Sequence, residues 1–436
     1  MAQNISELKH PAPGPARLAE LEATFAELGA GFQAPLADRR LVANDQRQEF
    51  AHFWAYSALA APFVGLANVV GWHPNYGFAV LNVGLLAVAF IVVSRFVSAA
   101  VAALLVLSPV LWWVDKAHPE VFTVALLLLA FALVRGHPGW ALVAIALAST
   151  QNLPIAAGVP LLAAAAVLME PTRLRDRGFW LGLAASVAIA AIHPVYYLIR
   201  LGVYTSQAAI GGVVTTLPSP AHVAAVVVDP NIGLVPNFSL LFPILIVFVL
   251  PQAIWQGKKL LQPDVGAAAL LAVLFLVVFT QTPNLNSGAT PSLSRYGLWL
   301  IPLLLPLFTH IHNRWRPVLR YGFVVTVLLS AFASAVVYRP SVNEDHLHPT
   351  GLAQILWNHA PNVDNPPLEI FLERTAHTEI HPFPVATESC SKVLVVSGKW
   401  PDQCGESPSI PAACRFEGAA CYANRAGTEY EFVPAP

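Results

Sequence analysis

The sequence predicts an all-α polytopic membrane protein with a small α+β domain outside the membrane at its C-terminus. Of its 436 residues, 56% are hydrophobic and only 11% are charged, whereas soluble domains carry about 25% charged residues. Apolar runs near spanning length recur between residues 52 and 338. All four cysteines lie in the polar C-terminal part. These observations predict about nine to eleven transmembrane helices and an extracytoplasmic tail.

The chain divides into three predicted parts, namely a polar N-terminal segment 1–51, a multi-pass domain 52–338 and a tail domain 339–436. The start lacks the basic and apolar regions of a signal peptide. Ala16–Leu28 has the periodicity of a short acidic amphipathic helix. The net charge of −1 and the lack of a basic block argue against a nucleic-acid partner.

The first apolar run, His52–Trp72, contains Pro62 and has aromatic ends. It is either a marginal span or a helix that lies in the membrane interface. Gly139–Met169 is too long for one span, so we expect two short helices with Gln151 and Asn152 capping them at a polar hairpin. The other predicted spans are Phe78–Val93, Ala99–Val114, Val121–Val134, Phe179–Tyr197, Ser239–Trp255, Val265–Thr280, a span beginning with Leu298–Leu307, and Tyr321–Val337.

A charged loop, Asp115–Glu120, separates two of these apolar runs. Two acids, a lysine and a histidine at this place cost free energy unless they face water or a polar cavity. The loop is therefore the first place to look for chemistry. The alternative is an ordinary interfacial loop in which Asp115 and Glu120 pair with Lys116 and His118.

The basic residues fit a single orientation in the membrane. If Phe78–Val93 runs inward, alternation of the spans puts every basic cluster in the cytoplasm and the tail outside. If His52–Trp72 spans, residues 1–50 are cytoplasmic, and if it lies in the interface they are outside. The clusters are Arg95, Arg135, Arg173–Arg177, Lys258–Lys259 and Arg314–Arg320.

The tail has the composition of a small disulfide-bonded domain. Its four cysteines predict one or two disulfides in an oxidising compartment, and the spacing leaves all three full pairings open. A zinc site is the less favoured alternative because no CxxC is present. Val393–Ser397 resembles a strand and Gly351–Asn358 a short helix. The cysteines are Cys390, Cys404, Cys414 and Cys421.

Read together, these segments resemble the bacterial GT-C integral-membrane glycosyltransferases, which include the protein O-mannosyltransferases and the aminoarabinose transferases of lipid A. The resemblance covers about residues 32–338. It rests on the order of several loose motifs rather than on one diagnostic motif. They are His52–Leu59 followed by Pro62-Phe63, Phe78–Arg95 with Asn82, the Asp115–Glu120 loop, Gln151–Pro154, Asp229–Leu234 and Ser294–Tyr296.

The chain departs from the family at its start. Family members begin with a transmembrane helix and an outer loop that bears a catalytic Asp. Here no apolar helix precedes residue 50, and Asp38, Asp45 and Glu49 stand in what resembles the later part of that loop. The sequence thus leaves three alternatives, an active transferase, a noncatalytic or truncated relative, and, less favoured because no repeat is visible, a transporter or flippase.

The resemblance implies transfer of a sugar from a polyprenyl-phosphate donor to a glycan, lipid or protein acceptor on the outer face of the bacterial inner membrane. Such chemistry needs a carboxylate for the acceptor hydroxyl and cations for the leaving phosphate. A divalent cation is bound by some relatives, and this sequence has no ligand set with metal spacing. The candidate catalytic residues are Asp115, Glu120 and Asp45, and the candidate substrate-binding residues are Arg295, Tyr296, Lys116, His118, Arg200, Gln151, Asn152 and Asp229.

Overall fold

The computed structural model is mainly helical, as the composition predicts. Within the described residues, three helices have the length and composition needed to cross a membrane, Asn75–Phe96, Arg177–Ala209 and Pro317–Val337, and six more apolar helices are shorter. The predicted nine to eleven spans therefore depend on shorter helices as well. The structure describes residues 1–27, 41–50, 52–212, 218, 220–282, 285, 292–312, 315–340, 347–378, 384–425 and 427–433.

The helices and strands follow one another in this order. The helices of the first half are α1 (Ala2–Ser6), α2 (Pro15–Glu27), α3 (Ala55–Val69), α4 (Asn75–Phe96), α5 (Ala99–Val106), α6 (Glu120–Leu133), α7 (Pro138–Ser149), α8 (Gly158–Met169), α9 (Arg177–Leu201) and α10 (Ser206–Ala209). Those of the second half are α11 (Pro220–Val228), α12 (Leu234–Asn237), α13 (Leu241–Ile244), α14 (Leu250–Leu260), α15 (Pro263–Phe279), α16 (Arg295–Leu298), α17 (Leu305–His312), α18 (Pro317–Val337), α19 (Gly351–His359) and α20 (Leu368–Ala376). The strands are β1 (Val385–Ala386), β2 (Lys392–Val396), β3 (Ala420–Asn424) and β4 (Glu429–Val433).

The chain folds into two compact units. The first contains Met1–Thr215, Ser239–Val278 and Trp299–Ser341. The second contains the C-terminal segment from Val342 together with two segments from the middle of the chain, Thr216–Phe238 and Phe279–Leu298. The middle segments belong to what the sequence predicts as the multi-pass domain, so the second unit is larger than the tail alone.

The predicted span Ala99–Val114 is interrupted. Helix α5 ends at Val106, and a 3-10 turn, Pro109–Trp113, follows it. The hydroxyl of Ser108 accepts the N–H of Val110, and Pro109 has no N–H with which to continue an α-helix. The prediction of one continuous span was wrong here. The break turns the chain at Trp112 and Trp113, next to the charged loop.

The prediction of two short helices in Gly139–Met169 is confirmed, because α7 ends at Ser149 and α8 begins at Gly158. The expected caps are wrong. The Asn152 side chain makes no cap hydrogen bond and instead donates to the Thr123 hydroxyl at 3.3 Å. The Gln151 side chain is buried, and its amide has no hydrogen-bond partner among the described residues.

Helix α3 packs across the beginning of α4. The Tyr56 hydroxyl, near the start of α3, donates to Asn82 at 2.9 Å. Farther along α3, Val64 approaches Gly77 so closely that a Cβ there would lie 2.5 Å from the Val64 nitrogen. Both contacts fall within the first eight residues of α4, so α3 does not run the length of its neighbour. Of the two alternatives for His52–Trp72, this arrangement favours the interfacial helix.

Three regions predicted to face the cytoplasm meet at one end of the first unit, which we call the basic end. The Arg135 guanidinium pairs with Asp264 at 3.0 and 3.1 Å, and His310 contacts the same carboxylate at 3.1 Å. Arg173 donates to the backbone oxygen of Arg135 at 3.1 Å. The loops after α6, α8 and α14 therefore lie together, as the predicted alternation requires.

The second unit contains the predicted α+β tail, which is confirmed. Four antiparallel strands pair in the order β1-β2-β3-β4. Alternate residues of β2 face opposite sides, because Leu394 packs with α19 and α20 while Val393 and Val395 pack with the cysteines. The predicted strand and short helix correspond to β2 and α19.

The four cysteines form two disulfides, Cys390–Cys404 and Cys414–Cys421. The structure thus selects one of the three pairings that the spacing allows, the one that joins neighbours in sequence. Both bonds fix irregular segments to the strands, because Cys421 lies in β3 and Cys390 lies just before β2.

Removal of the first disulfide is expected to destabilise the tail. The bond closes a loop with a sequence separation of 14, for which chain entropy predicts about 3 kcal/mol. Cys404→Ser should lower the free energy of unfolding of β2–β3 by about this amount, measured by hydrogen exchange of their amides in the full chain. Ala413→Ser, at an exposed position nearby, is the control. Equal protection in both variants would contradict the prediction.

Candidate functional site

A network of two acids and one arginine lies at the end of the first unit that is opposite the basic end. We call this opposite end the outer end. The Arg200 guanidinium donates to both oxygens of Asp45 at 2.7 and 2.9 Å and to Glu49 at 2.8 Å. The Tyr196 hydroxyl also donates to Glu49, at 3.0 Å. Two of the predicted site residues, Asp45 and Arg200, are thus brought together.

The local chain explains how the acids reach this place. Residues 41–50 form a tight loop in which Val42 bridges to Gln48 and the Ala43 N–H donates to the Arg47 oxygen. Asp45 stands at the tip with its side chain 44% exposed, whereas the side chain of Glu49 is 3% exposed. The hydrogen bond from Arg200 holds the pKa of Asp45 below its ordinary value. Asp45 therefore stays ionised and is a weak proton acceptor.

The charged loop is fixed by the buried side chain of Asn82 in α4. Its amide nitrogen donates to the backbone oxygens of Trp113, Val114 and Lys116 at 3.1 to 3.3 Å. Its oxygen accepts from Tyr56. One side chain thereby joins α3, α4 and the turn that leads into the loop, so the position of Asp115–Glu120 is determined by contacts outside the loop itself.

The two acids of the loop have different surroundings. Asp115 is 42% exposed and pairs with Lys116 at 2.8 Å, and the Lys116 ammonium lies 3.9 Å from the centre of the Trp112 ring. Glu120 is 2% exposed, contacts His118 at 3.3 Å and accepts the indole N–H of Trp299. The pairing expected for an ordinary loop is therefore present, but only one of the two acids remains accessible.

The aromatic rings of two consecutive residues, His52 and Phe53, connect the arginine network with the charged loop. His52 lies 4.8 Å from His118, ring centre to ring centre. Phe53 lies 5.5 Å from Tyr196 and 5.1 Å from His193. The Asp45–Glu49 segment and the Asp115–Glu120 loop are thus linked through His52 and Phe53 at the outer end, and we call the two segments together the outer polar surface.

The remaining predicted residues lie in the second unit. Ser294 connects two of the motifs, because its N–H donates to the Ile232 oxygen at 3.0 Å. Next to it, Arg295 donates to the Tyr296 hydroxyl at 3.1 Å, and the ring of Tyr296 stacks on Phe279 at 5.8 Å. Of the polar loop before this motif, the larger part lies outside the described residues.

Asp229 is buried in the same unit. One of its oxygens accepts the N–H groups of Asn231 and Ile232 at 2.7 and 3.1 Å. Burial, and secondarily the nearby carboxylate of Asp364, raises the pKa of Asp229 to about 7. The tight turn is joined to α19, since the Thr350 hydroxyl donates to the Pro230 oxygen at 2.8 Å. Asp229 is therefore placed to hold a turn, and its carboxyl is 4% exposed.

Within the part of the chain that the structure describes, no three His, Cys, Asp or Glu side chains are grouped so that they could hold a metal ion.

Several residues that connect these segments could not be predicted from the sequence. Glu49 is one of three acids just before the first apolar run and has no sequence feature that marks it as a site residue, yet it is the buried partner of Arg200. Tyr196 and Trp299 carried no signal, because a tyrosine or tryptophan near the end of an apolar run is an ordinary interfacial anchor. Their importance follows only from contacts over long sequence separations, 147 residues for Tyr196–Glu49 and 179 for Trp299–Glu120.

A solved structure of ArnT from Cupriavidus metallidurans, in the apo state, is similar to this chain. The match has a TM-score of 0.41 and 19% sequence identity, and it covers 79% of this chain and 64% of the ArnT chain. No family model and no curated protein matches the sequence.

The raised pKa of Asp229 makes the stability of the second unit depend on pH. Between its ordinary value of 3.8 and about 7, the folded state holds a proton that the unfolded state has lost. The free energy of unfolding should therefore fall as pH rises through this window, by at most about 1.4 kcal/mol per pH unit for one proton. Above pH 7 this contribution becomes constant.

Asp229→Asn keeps the acceptor oxygen for both N–H groups and removes the ionisation. It should reduce the slope, measured by hydrogen exchange of β3 in the full chain from pH 4.5 to 7.5. Burial also raises the pKa of Asp364, so part of the slope should remain. Asp402→Asn, at an exposed acid, is the control, and a slope unchanged in Asp229→Asn would refute the assignment.

Proposed function

We propose that this chain is a membrane glycosyltransferase that moves a sugar from a polyprenyl-phosphate donor to an acceptor hydroxyl at the outer face of the bacterial inner membrane. The observation that carries the proposal is the accessible pair Asp115–Lys116, held at the end of an apolar helical unit by Asn82. An anionic and a cationic group side by side match the two needs of the reaction, a carboxylate for the acceptor and a cation for the phosphate.

The exposures and pairings decide between the candidate acids. Glu120 is enclosed by His118 and Trp299, and Asp45 is bound through both oxygens by Arg200. Asp115 is 42% exposed, and Lys116 is its one ion-pair partner among the described residues. We therefore assign the contact with the acceptor to Asp115, and we assign to Glu120 and Asp45 the positioning of their neighbours.

The proposed step balances as follows. The acceptor oxygen forms a bond to the anomeric carbon, and the bond from that carbon to the phosphate oxygen breaks. The hydroxyl proton passes to Asp115, and Lys116 faces the charge that develops on the leaving polyprenyl phosphate. Within the first unit, His118, Arg200, Gln151 and Asn152 remain proposed substrate contacts. For the second unit, taken by itself, Arg295 and Tyr296 remain proposed substrate contacts, and the buried Asp229 is assigned to its turn.

A noncatalytic protein of the same fold is the second candidate. It is favoured by the pairing of the outer acids, because Asp45, Glu49, Asp115 and Glu120 each contact a cationic or histidine side chain. A network with purely structural tasks would have this form. Transfer activity of the purified chain separates the two candidates.

The activity test uses a panel of radiolabelled polyprenyl-phosphate hexoses and pentoses with membrane extract as acceptor, and also follows release of free sugar. The chain should transfer at least one of these sugars. Asp115→Asn should lower kcat about 10²-fold or more with little change in KM for the donor. Glu417→Gln, at an exposed acid of the tail, should leave the rate unchanged.

If purified, folded wild-type protein neither transfers nor releases any sugar of the panel, the noncatalytic candidate is favoured. If the wild type is active and Asp115→Asn keeps full kcat, the transferase stands and the assignment of Asp115 is wrong.

The proposal also requires an orientation, with the basic end in the cytoplasm and both the outer polar surface and the tail outside. It is supported by the assembly of the basic loops at one end and by the two disulfides. Because all four cysteines are paired, single cysteines can be introduced and labelled. Ala117→Cys should react with a membrane-impermeant maleimide on intact spheroplasts, and Leu174→Cys only after permeabilisation.

Both positions are exposed in the structure, so accessibility of the side chain does not limit labelling. The reverse pattern would invert the topology and exclude an outer-face reaction at Asp115.

A further inference from the structure

A groove of about 570 Å³ lies at the basic end of the first unit and takes no part in the proposed reaction. It runs between the beginnings of α7 and α9. Its walls are mostly apolar or small side chains, and its polar residues are confined to the connections that precede the two helices. The apolar and small residues that the argument uses are Gly139, Trp140, Leu181, Gly182, Ala185 and Ile189.

The floor of the groove is formed by glycines that let the two helices approach. A Cβ on Gly139 would lie 2.6 Å from the Gly178 oxygen, and one on Gly182 would lie 2.3 Å from the Gly139 Cα. Both distances are too short for a real contact, so α7 and α9 touch along their backbones here. The larger apolar side chains stand at the sides, and Leu181 is 71% exposed.

The length of the groove matches one leaflet of a bilayer. From Gly178 to Ile189 it follows twelve residues of α9, and the eleven rises between them, at about 1.5 Å each, give about 16 Å. The hydrocarbon core is about 30 Å thick, so one leaflet is about 15 Å. Trp140, 69% exposed at the polar end, and Trp180, 50% exposed, have the position of interfacial tryptophans.

The polar end of the groove is lined by His137, Arg173 and Asp176, and two further arginines stand next to Asp176 in the sequence. Arg173 is engaged by Glu170 at 2.7 Å, and Asp176 caps the N–H of Gly178. Arg175 and Arg177 flank Asp176, are exposed, and have no ion-pair partner among the described residues. Two arginines thus remain for an anion at the level of the headgroups, above an apolar groove of one leaflet's depth.

We propose that this groove binds an anionic glycerophospholipid of the leaflet at the basic end, with one acyl chain along α9 and the phosphate at Arg175 and Arg177. The apolar walls and glycine floor accommodate a chain, and the arginines complement the headgroup charge. Basic pockets between helices on this side of a membrane recognise anionic lipids in this way. The inference does not depend on the proposed transferase activity.

The test is native mass spectrometry of the full chain, delipidated in detergent and titrated separately with phosphatidylglycerol and phosphatidylethanolamine of identical acyl chains. The wild type should retain phosphatidylglycerol in preference. Arg175→Gln with Arg177→Gln should weaken phosphatidylglycerol binding by roughly fivefold for each arginine, and should leave phosphatidylethanolamine binding unchanged. Arg316→Gln, an exposed arginine before α18, is the charge control and should have no effect.

A second pair of variants tests the apolar part. Ala185→Trp fills the groove from an exposed lining position and should lower binding of both lipids, whereas Val325→Trp on the exposed face of α18 should not. The proposal is overturned if the arginine variants weaken both lipids equally, if Arg316→Gln has the same effect, or if Ala185→Trp changes nothing. It is also overturned if undecaprenyl phosphate displaces phosphatidylglycerol at equal concentration, because the occupant would then be a polyprenyl lipid. Thermal melting without added lipid verifies that each variant is folded.

Discussion

The outer end of the first unit depends on the carboxamide of Asn82. A primary amide offers two N–H groups and one oxygen, and here the nitrogen serves three backbone carbonyls while the oxygen accepts from Tyr56. An apolar residue of similar size would leave buried carbonyls unsatisfied, at a cost of about 1–3 kcal/mol for each group. Since the same side chain holds α3 against α4, the position of α3 and that of the charged loop are determined together.

The sequence predicted the parts of the fold that depend on local pattern. The length of apolar runs predicted α4, α9 and α18, and the short run Val393–Ser397 predicted β2. The break after α7 was visible because Gln151, Asn152 and Pro154 interrupt an apolar run. In contrast, the end of α5 at Val106 was not predicted. Ser108 and Pro109 are only two residues in a long apolar run, and they lower its mean hydropathy too little to indicate a break.

What remained hidden is the set of partners. Arg200 forms an ion pair with Asp45, which is 155 residues away in the sequence, and Arg135 forms one with Asp264, which is 129 residues away. One sequence contains no information on such pairs beyond the need of each buried charge for some partner. The disulfides illustrate the same limit, because spacing predicted their existence and compartment but left three pairings. Candidate residues could thus be named from the sequence, and their assembly into one surface could not.

Pairing and exposure together separate structural from functional charges in such a protein. At the basic end Arg135 and Asp264 neutralise each other, and Asp264 is 2% exposed. Within the outer loop, five residues apart, Asp115 and Glu120 have the same chemistry and opposite environments. A carboxylate enclosed by an indole and an imidazole must give up those bonds before it can meet a substrate, at a cost that an exposed carboxylate does not carry.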